Sequence, residues 1–240
     1  MVGMDKKVKY NVDKFYYENH RVSKDGKEEG LNIYQNNNGR LEGGRQHDPI
    51  YNDENASNQI YTFGCSWTYG WDLKQEQTFT HLLGDENTAV HNYGAGGTGL
   101  DFAVKTLSEV YIPTSTRQIF IITVPHYFRR LWFDDSGEVL RSWQVKEQTD
   151  INEYNHYFNF LHNYELLNRF VGRDKIIWGT WDGDLPEEKF DVVFERVDYT
   201  NDGLHPGPKS HKQYADKLKK IINKKYKKFE TYYQQCVRRI

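Results

Sequence analysis

Cys65 and Ser66 are adjacent nucleophile candidates just beyond Ile60-Tyr-Thr-Phe-Gly64, a short run suited to a buried strand. In an open parallel sheet, ligands bind outside the carboxyl ends of the strands, so a nucleophile there faces the usual crevice. Far downstream, Asp202-Gly-Leu-His205-Pro206 carries a carboxylate and an imidazole three residues apart. A serine hydroxyl is a weak nucleophile at its free pKa. It needs a base within hydrogen-bond reach and a carboxylate that fixes the tautomer of that base. Asp202 and His205 can supply both to Ser66 from one loop. A third stretch, Asn92-Tyr-Gly94-Ala-Gly96-Gly97-Thr-Gly99, is a tight turn whose backbone could face a tetrahedral intermediate. The N–H groups of Ser66 and Gly97 are the candidate donors there. Cys65 would give the stronger nucleophile as a thiolate. Strand alternation turns it away from Ser66, however, and free cysteine is among the most buried residue types, so Cys65 is read as a packing residue.

The elements that must position these groups follow the periodicity of apolar residues. Ile60–Cys65 reads as the first strand, Gln75–Leu83 as a helix with Phe79, Leu82 and Leu83 on one face, and Thr88–Tyr93 as the second strand. A helix over Leu100–Val110 follows the glycine-rich turn. Gln118–Val124 is a continuous apolar run, which suits a parallel strand covered on both faces. Lys175–Trp181 resumes the sheet, Phe190–Phe194 adds an edge strand, and a last helix beginning after Pro206 and Pro208 turns Tyr214, Leu218, Ile221 and Ile222 inward. Strands alternating with helices at this spacing predict a parallel sheet with right-handed crossovers. Residues 127–173 form an insertion near the chemistry-bearing edge: a hairpin around Asp134-Asp-Ser-Gly137, then a helix on which Ile151, Tyr154, Phe158, Leu161, Leu167 and Phe170 recur at helical spacing. The domain organisation read from this pattern is a loop-rich extension over 1–58, with a small hairpin about Asn36-Asn-Asn-Gly39, and one α/β domain over 59–240.

Taken in order, the three chemistry-bearing stretches resemble the SGNH/GDSL hydrolases. The usual Gly-Asp-Ser block stands here as Gly64-Cys65-Ser66, in a Gly-Cys-Ser-aromatic-Thr variant also seen in phage- and bacteria-borne relatives. The glycine block is similar to Asn92–Gly97, with Gly97 or Gly96 as its donor glycine, and the Asp-x-x-His-Pro block is matched by Asp202 to Pro206. The resemblance spans about residues 60–224. It implies a three-layer α/β/α sandwich of flavodoxin type with a central parallel sheet, and a Ser66, His205, Asp202 triad that hydrolyses ester bonds, carbohydrate O-acetyl groups among them. It also implies an oxyanion or substrate-binding region near Gly97 and Asn92. The chain departs from the family after the third strand, where Gly-x-Asn-Asp is usual and Thr123-Val-Pro-His126-Tyr-Phe-Arg129 stands instead. His126 and Arg129 are the candidates to replace the missing Asn donor. A scaffold weakened by that loss and retained as a glycan- or partner-binding module is the alternative reading.

Bulk composition narrows the remaining classes. A chain of 240 residues buries a substantial core, and with 15% aromatics that core rests heavily on Tyr, Phe and Trp. The net charge of −2 supplies no field that draws the protein to nucleic acid, and the lysines of 217–228 spread around a helix as a solvated face. His156 and His162 lie six apart with no His-Glu-x-x-His or Cys/His quartet, so no metal or cofactor is expected. Gly94-x-Gly96-x-x-Gly99 matches a dinucleotide fingerprint, but it follows the second strand and lacks an acidic residue about 20 positions on. The N-terminus has no apolar h-region and no apolar run reaches 18 residues, which favours a soluble cytoplasmic protein whose partner is a small-molecule or glycan ester, with no nucleic acid and no membrane.

Overall fold

The computed structural model describes residues 34–35, 41–42, 56–111, 117–130, 132–133, 139–140, 153–181, 183 and 185–237. Two short strands, β1 (Tyr34–Gln35) and β2 (Leu41–Glu42), pair antiparallel, as expected of a hairpin there, and the Asn-Gly pair between them lies outside the described residues. The sheet begins with β3 (Asn58–Gly64), which leads directly into the one-turn helix α1 (Ser66–Tyr69). The helix expected over Gln75–Leu83 is broken at Thr78. Its hydroxyl accepts from the His81 N–H at 3.3 Å, capping α2 (Phe79–Leu83) and leaving Gln75–Gln77 as a 3-10 turn. Then come β4 (Thr88–Gly94), α3 (Leu100–Val110) and β5 (Arg117–Val124). The hairpin expected in the insertion pairs β6 (Trp132–Phe133) with β7 (Val139–Leu140). After it come α4 (Glu153–Leu167), β8 (Ile176–Thr180), a short edge strand β9 (Val192–Val193) and α5 (Pro208–Val237).

The central strands run parallel in the order β4-β3-β5-β8-β9. Renumbered within this sheet the order is 2-1-3-4-5, the flavodoxin arrangement, whose ligand crevice opens at the tips beside the first strand. Registration brings Gly64 level with Gly94 on one side and Thr123 on the other, so the tips of three strands end together.

Alternation along β5 divides the core. Ile119 and Ile121 face a cluster with Phe79, Leu83, Tyr214, Leu218 and Ile222 from α2 and α5. Phe120, Ile122 and Val124 face the other layer, with Leu100, Ala103 and Leu107 of α3 and Phe160, Tyr164 and Leu167 of α4. Each fully buried Ile or Phe contributes about 1.5–3 kcal/mol of transfer free energy, so the two-sided burial of β5 anchors the sheet. The aromatic core meets its polar obligations through specific pairs. The Tyr214 hydroxyl lies 3.0 Å from the Thr123 hydroxyl, and the Trp178 indole N–H donates to Asn168 Oδ1 at 2.9 Å.

The helix of the insertion turns a different face inward than its most regular aromatic spacing implies. His156, Phe160, Asn163, Tyr164 and Leu167 are buried, whereas Tyr154 is 85% and Phe158 70% exposed. Leu161 is only partly buried, Phe170 is half-exposed, and Ile151 lies outside the described residues. The segment carries aromatics on two faces, and contact with α3 and β8 chooses between them. A π-turn over Asn168–Gly172 then shifts the register, so Val171 packs inward where Phe170 was expected. Along α5, Tyr214, Leu218 and Ile222 are buried as the sequence predicts, and Ile221 packs partly buried beside them. Among the described residues, no helix is long and apolar enough to cross a membrane.

Gly94 lies against α1. A Cβ there would stand 2.8 Å from the Thr68 carbonyl carbon and closer still to the Tyr69 backbone nitrogen. Gly94→Ala should therefore destabilise the protein by about 1–3 kcal/mol. For a chain of this size that is a loss of roughly 2–12 °C in Tm by calorimetry. An unchanged Tm would show that α1 is not held against the strand tips.

Candidate active site

Ser66 stands at the first position of a helix one turn long, and the surrounding backbone fixes that turn. The Tyr69 N–H donates to the Cys65 carbonyl at 3.0 Å, and the N–H groups of Gly70 and Trp71 both donate to the Ser66 carbonyl. Gly70, with φ of 79°, ends the turn in the left-handed region that glycine adopts without strain. Beneath it, a Cβ on Gly64 would stand 2.7 Å from the Thr123 carbonyl oxygen and would collide with the Thr68 hydroxyl. Two glycine-terminated strands thus let the backbone of α1 settle on their tips. Cys65 is fully buried in the α5-side core, pointing away from the cleft as strand alternation predicts.

Asn92 completes this support from below. It is 1% exposed. Its amide donates to the Thr68 carbonyl at 3.2 Å and the Thr80 hydroxyl at 3.3 Å, while its oxygen accepts from the Gly94 N–H at 2.9 Å. With both amide protons engaged inside the protein, the Asn92 side chain ties α1 to the strand tips. The glycine-rich loop is buried throughout and tied to the tip of β3, because the Ala95 N–H donates to the Gly64 carbonyl at 2.9 Å. Gly97 lies in this loop with φ of 72°. Among the described residues, neither the Ser66 nor the Gly97 N–H is engaged in a hydrogen bond.

The loop that carries Asp202 and His205 is closed at its base. Tyr199 and Pro206 form a β-bridge, the Thr200 N–H donates to the His205 carbonyl at 2.9 Å, and the Gly207 N–H donates to the Asp198 carbonyl at 3.1 Å. Asp198 also caps α5, accepting from the N–H groups of Lys209 at 2.9 Å and Ser210 at 2.8 Å. A Cβ on Gly207 would stand 2.5 Å from that carboxylate, so the glycine admits the cap.

The closed loop and the Ser66 turn meet through side chains. His205 Nε2 lies 3.0 Å from Ser66 Oγ, and His205 Nδ1 lies 2.6 Å from Asp202 Oδ2. The second carboxylate oxygen, Oδ1, accepts from the Thr200 hydroxyl at 2.7 Å and from the N–H groups of Leu204 at 2.8 Å and His205 at 3.0 Å. Partial burial alone would raise the pKa of Asp202, but the Thr200 hydroxyl, the two backbone N–H groups and the His205 ring together hold it well below the ordinary carboxylate range. An ionised Asp202 favours the tautomer with the proton on Nδ1. That leaves Nε2 as the acceptor facing Ser66.

Around this relay the rings are closely packed. Trp71 lies beside His205 with centroids 5.9 Å apart, and Trp67 stacks on Trp181 at 4.4 Å. The His126 ring packs edge-on against Trp181 at 4.3 Å and stacks on Phe128 at 4.9 Å, and the Arg129 guanidinium lies over Trp181. The structure therefore places both candidates for the missing Asn in one aromatic cluster, and the Ser66, His205 and Asp202 hydrogen bonds form without them. Thr200, which donates to Asp202, and Arg196, which donates to the Leu204 carbonyl, adjoin these residues and are not among those singled out from the sequence. Thr200 sits only two positions from Asp202, a local spacing that could have drawn notice. Arg196 has no local signature. Among the described residues, no group of acidic, His and Cys side chains is arranged to hold a metal ion.

A carboxyl with a depressed pKa contributes stability that is complete above the unfolded value of about 3.9 and is lost as pH falls toward the folded value. Thr200→Val removes one donor to Asp202, so the variant's Asp202 should titrate at higher pH by carbon-detected NMR. The stability advantage of wild type should be full above about pH 4 and narrow below it. Coincident titration curves would exclude Thr200 as a support of the carboxylate.

No protein-family model matches this sequence, and no curated protein matches it. Among solved structures, the chain is similar to a member of the lipolytic protein G-D-S-L family from Veillonella parvula DSM 2008, at 14% identity and a TM-score of 0.42 over 69% of this chain and 98% of that one. It is also similar to a G-D-S-L family protein from Desulfitobacterium hafniense DCB-2, at 13% identity and a TM-score of 0.42 over 68% of this chain and 98% of that one.

Proposed function

We propose that the protein is a serine hydrolase of ester bonds, with Ser66 as nucleophile, His205 as general base and then acid, and Asp202 as the group that orients the imidazole. The observation that carries this reading is the pair of contacts on one imidazole, 3.0 Å to Ser66 Oγ and 2.6 Å to Asp202 Oδ2. Such an arrangement activates a hydroxyl that is otherwise a weak nucleophile at neutral pH.

In the proposed cycle, Ser66 Oγ attacks the acyl carbon and its proton passes to His205 Nε2. The Asp202 carboxylate stabilises the imidazolium, and the N–H groups of Ser66 and Gly97 receive the charge that develops on the former carbonyl oxygen. His205 then protonates the departing alcohol oxygen. Water, deprotonated by the same nitrogen, releases the acid and restores Ser66. The motif resemblance to SGNH/GDSL hydrolases supports this chemistry and suggests small acyl esters or carbohydrate O-acetyl groups as substrates. The absence of an Asn after β5 leaves the oxyanion to two backbone donors. One such donor typically contributes about 100- to 1,000-fold in turnover, so a modest kcat is expected.

A fluorophosphonate probe should label the wild-type protein and fail to label Ser66→Ala, which should also lose turnover of acetyl esters by roughly 10⁴-fold or more. Asp202→Asn should retain the fold and lose about 10⁴-fold in kcat, because the imidazole then presents the wrong tautomer. Equal labelling of wild type and Ser66→Ala would reject the assignment and favour a glycan- or partner-binding module.

A further inference from the structure

We propose that Arg196 makes this site selective for esters that carry an anionic group, a carboxylate or a phosphate, close to the scissile bond. The inference rests on the serine hydrolase reading and names the substrate class of the same site.

Arg196 is bracketed by the neighbours of both reacting side chains. One of its terminal nitrogens donates to the carbonyl of Leu204, the residue before His205, at 2.6 Å. Its guanidinium carbon lies 5.6 Å from the ring centroid of Trp67, the residue after Ser66, and 4.6 Å from that of Tyr199. Two aromatic rings and one carbonyl thus define the position of an otherwise flexible cation. Stacking of this kind costs the guanidinium none of its in-plane donors. A guanidinium has five N–H donors, and a single carbonyl contact leaves most of them available.

The carboxylates of the same segment are all committed elsewhere. Glu195 pairs with Lys217 at 3.0 Å and accepts from Gln213. Asp198 caps α5, and Asp202 is taken up by Thr200, His205 and the loop backbone. Among the described residues, Arg196 has no acidic partner, although the residue is exposed. The charge is therefore fixed against Trp67 and Leu204, the chain neighbours of the nucleophile and the base, without being neutralised by an acidic side chain among the described residues. Planar paired oxygens, as in a carboxylate or phosphate, match the fork of donors that remains. Tyr199 and Leu204, 54% and 67% exposed, supply apolar surface beside it for the rest of a substrate.

The test compares three matched p-nitrophenyl esters: butyrate, the succinate monoester and an acyl ester bearing a phosphate. Wild type should favour one or both anionic esters by about ten- to a hundredfold in kcat/KM, the range of a charge-assisted hydrogen bond. The preference should appear in KM and shrink at high salt. In Arg196→Gln the ratio of anionic to neutral kcat/KM should fall by at least tenfold, and Arg196→Lys should recover part of it. The succinate and phosphate arms separate the two sources of negative charge. If Arg196 only staples the His205 loop, Arg196→Gln lowers all three esters alike and the proposal is overturned. A second readout is independent of turnover: monomethyl succinate or methyl phosphate, titrated into Ser66→Ala and followed by tryptophan fluorescence, should bind saturably where methyl butyrate does not. That binding should vanish in the Ser66→Ala, Arg196→Gln double variant. Absence of anion binding overturns the proposal whatever the turnover data show. Anion binding with no Ser66-dependent turnover would instead reject the hydrolase reading and leave the anion subsite standing.

Discussion

Close backbone approach at the tips of two parallel strands is the constraint on which the rest of this site depends. The turn that carries Ser66 rests directly on Gly64 and Gly94, and side chains at those positions would overlap Thr68 and Tyr69. With the turn seated at the strand tips, Ser66 Oγ meets His205 Nε2, and Cys65 is driven into the core behind it. Asn92 fills the space beneath, tying Thr68 of the turn to Gly94 of the neighbouring strand. A buried amide with every strong hydrogen bond made holds such an arrangement more rigidly than apolar packing would.

The second half of the site is brought in by electrostatics and capping. Asp198 caps the first turn of α5, and its carbonyl closes the loop through Gly207. The loop in turn surrounds the Asp202 carboxylate with donors on both oxygens. The same hydrogen bonds that shape the loop therefore hold Asp202 ionised and direct the His205 imidazole at Ser66. Loop conformation and proton affinity are set together here, since each donor that orders the backbone also favours the charged carboxylate.

Much of this was legible from residue order. The continuous apolar run of Gln118–Val124 marked a two-sided strand, the Asn-Gly and Asp-Asp-Ser-Gly stretches marked hairpins, and Leu100–Val110 formed over the residues its periodicity indicated. Reading failed where local pattern allowed two solutions. The helix after the insertion has two aromatic faces, and the inward one holds His156 and Asn163 with Phe160, Tyr164 and Leu167. Periodicity finds the stripes but does not say which one meets a neighbour. The setting of Asn92 is hidden for a related reason: an Asn next to a glycine turn shows neither its burial nor its partners in the sequence.

By itself the sequence determined the chemistry on offer: a serine after a strand, an Asp-x-x-His loop far downstream and a glycine turn between them, in an order that suits one edge of a parallel sheet. These are properties of residue type and local spacing, which the chain carries before it folds. Only the tertiary structure decided that 139 positions of separation close to a 3.0 Å contact between Ser66 and His205. It alone decided, too, that Thr200 supports the carboxylate and that Arg196 lies between Trp67 and Tyr199. Those outcomes depend on sheet registration and on the capping of α5. Both are set by contacts between segments remote in sequence, which no local pattern encodes.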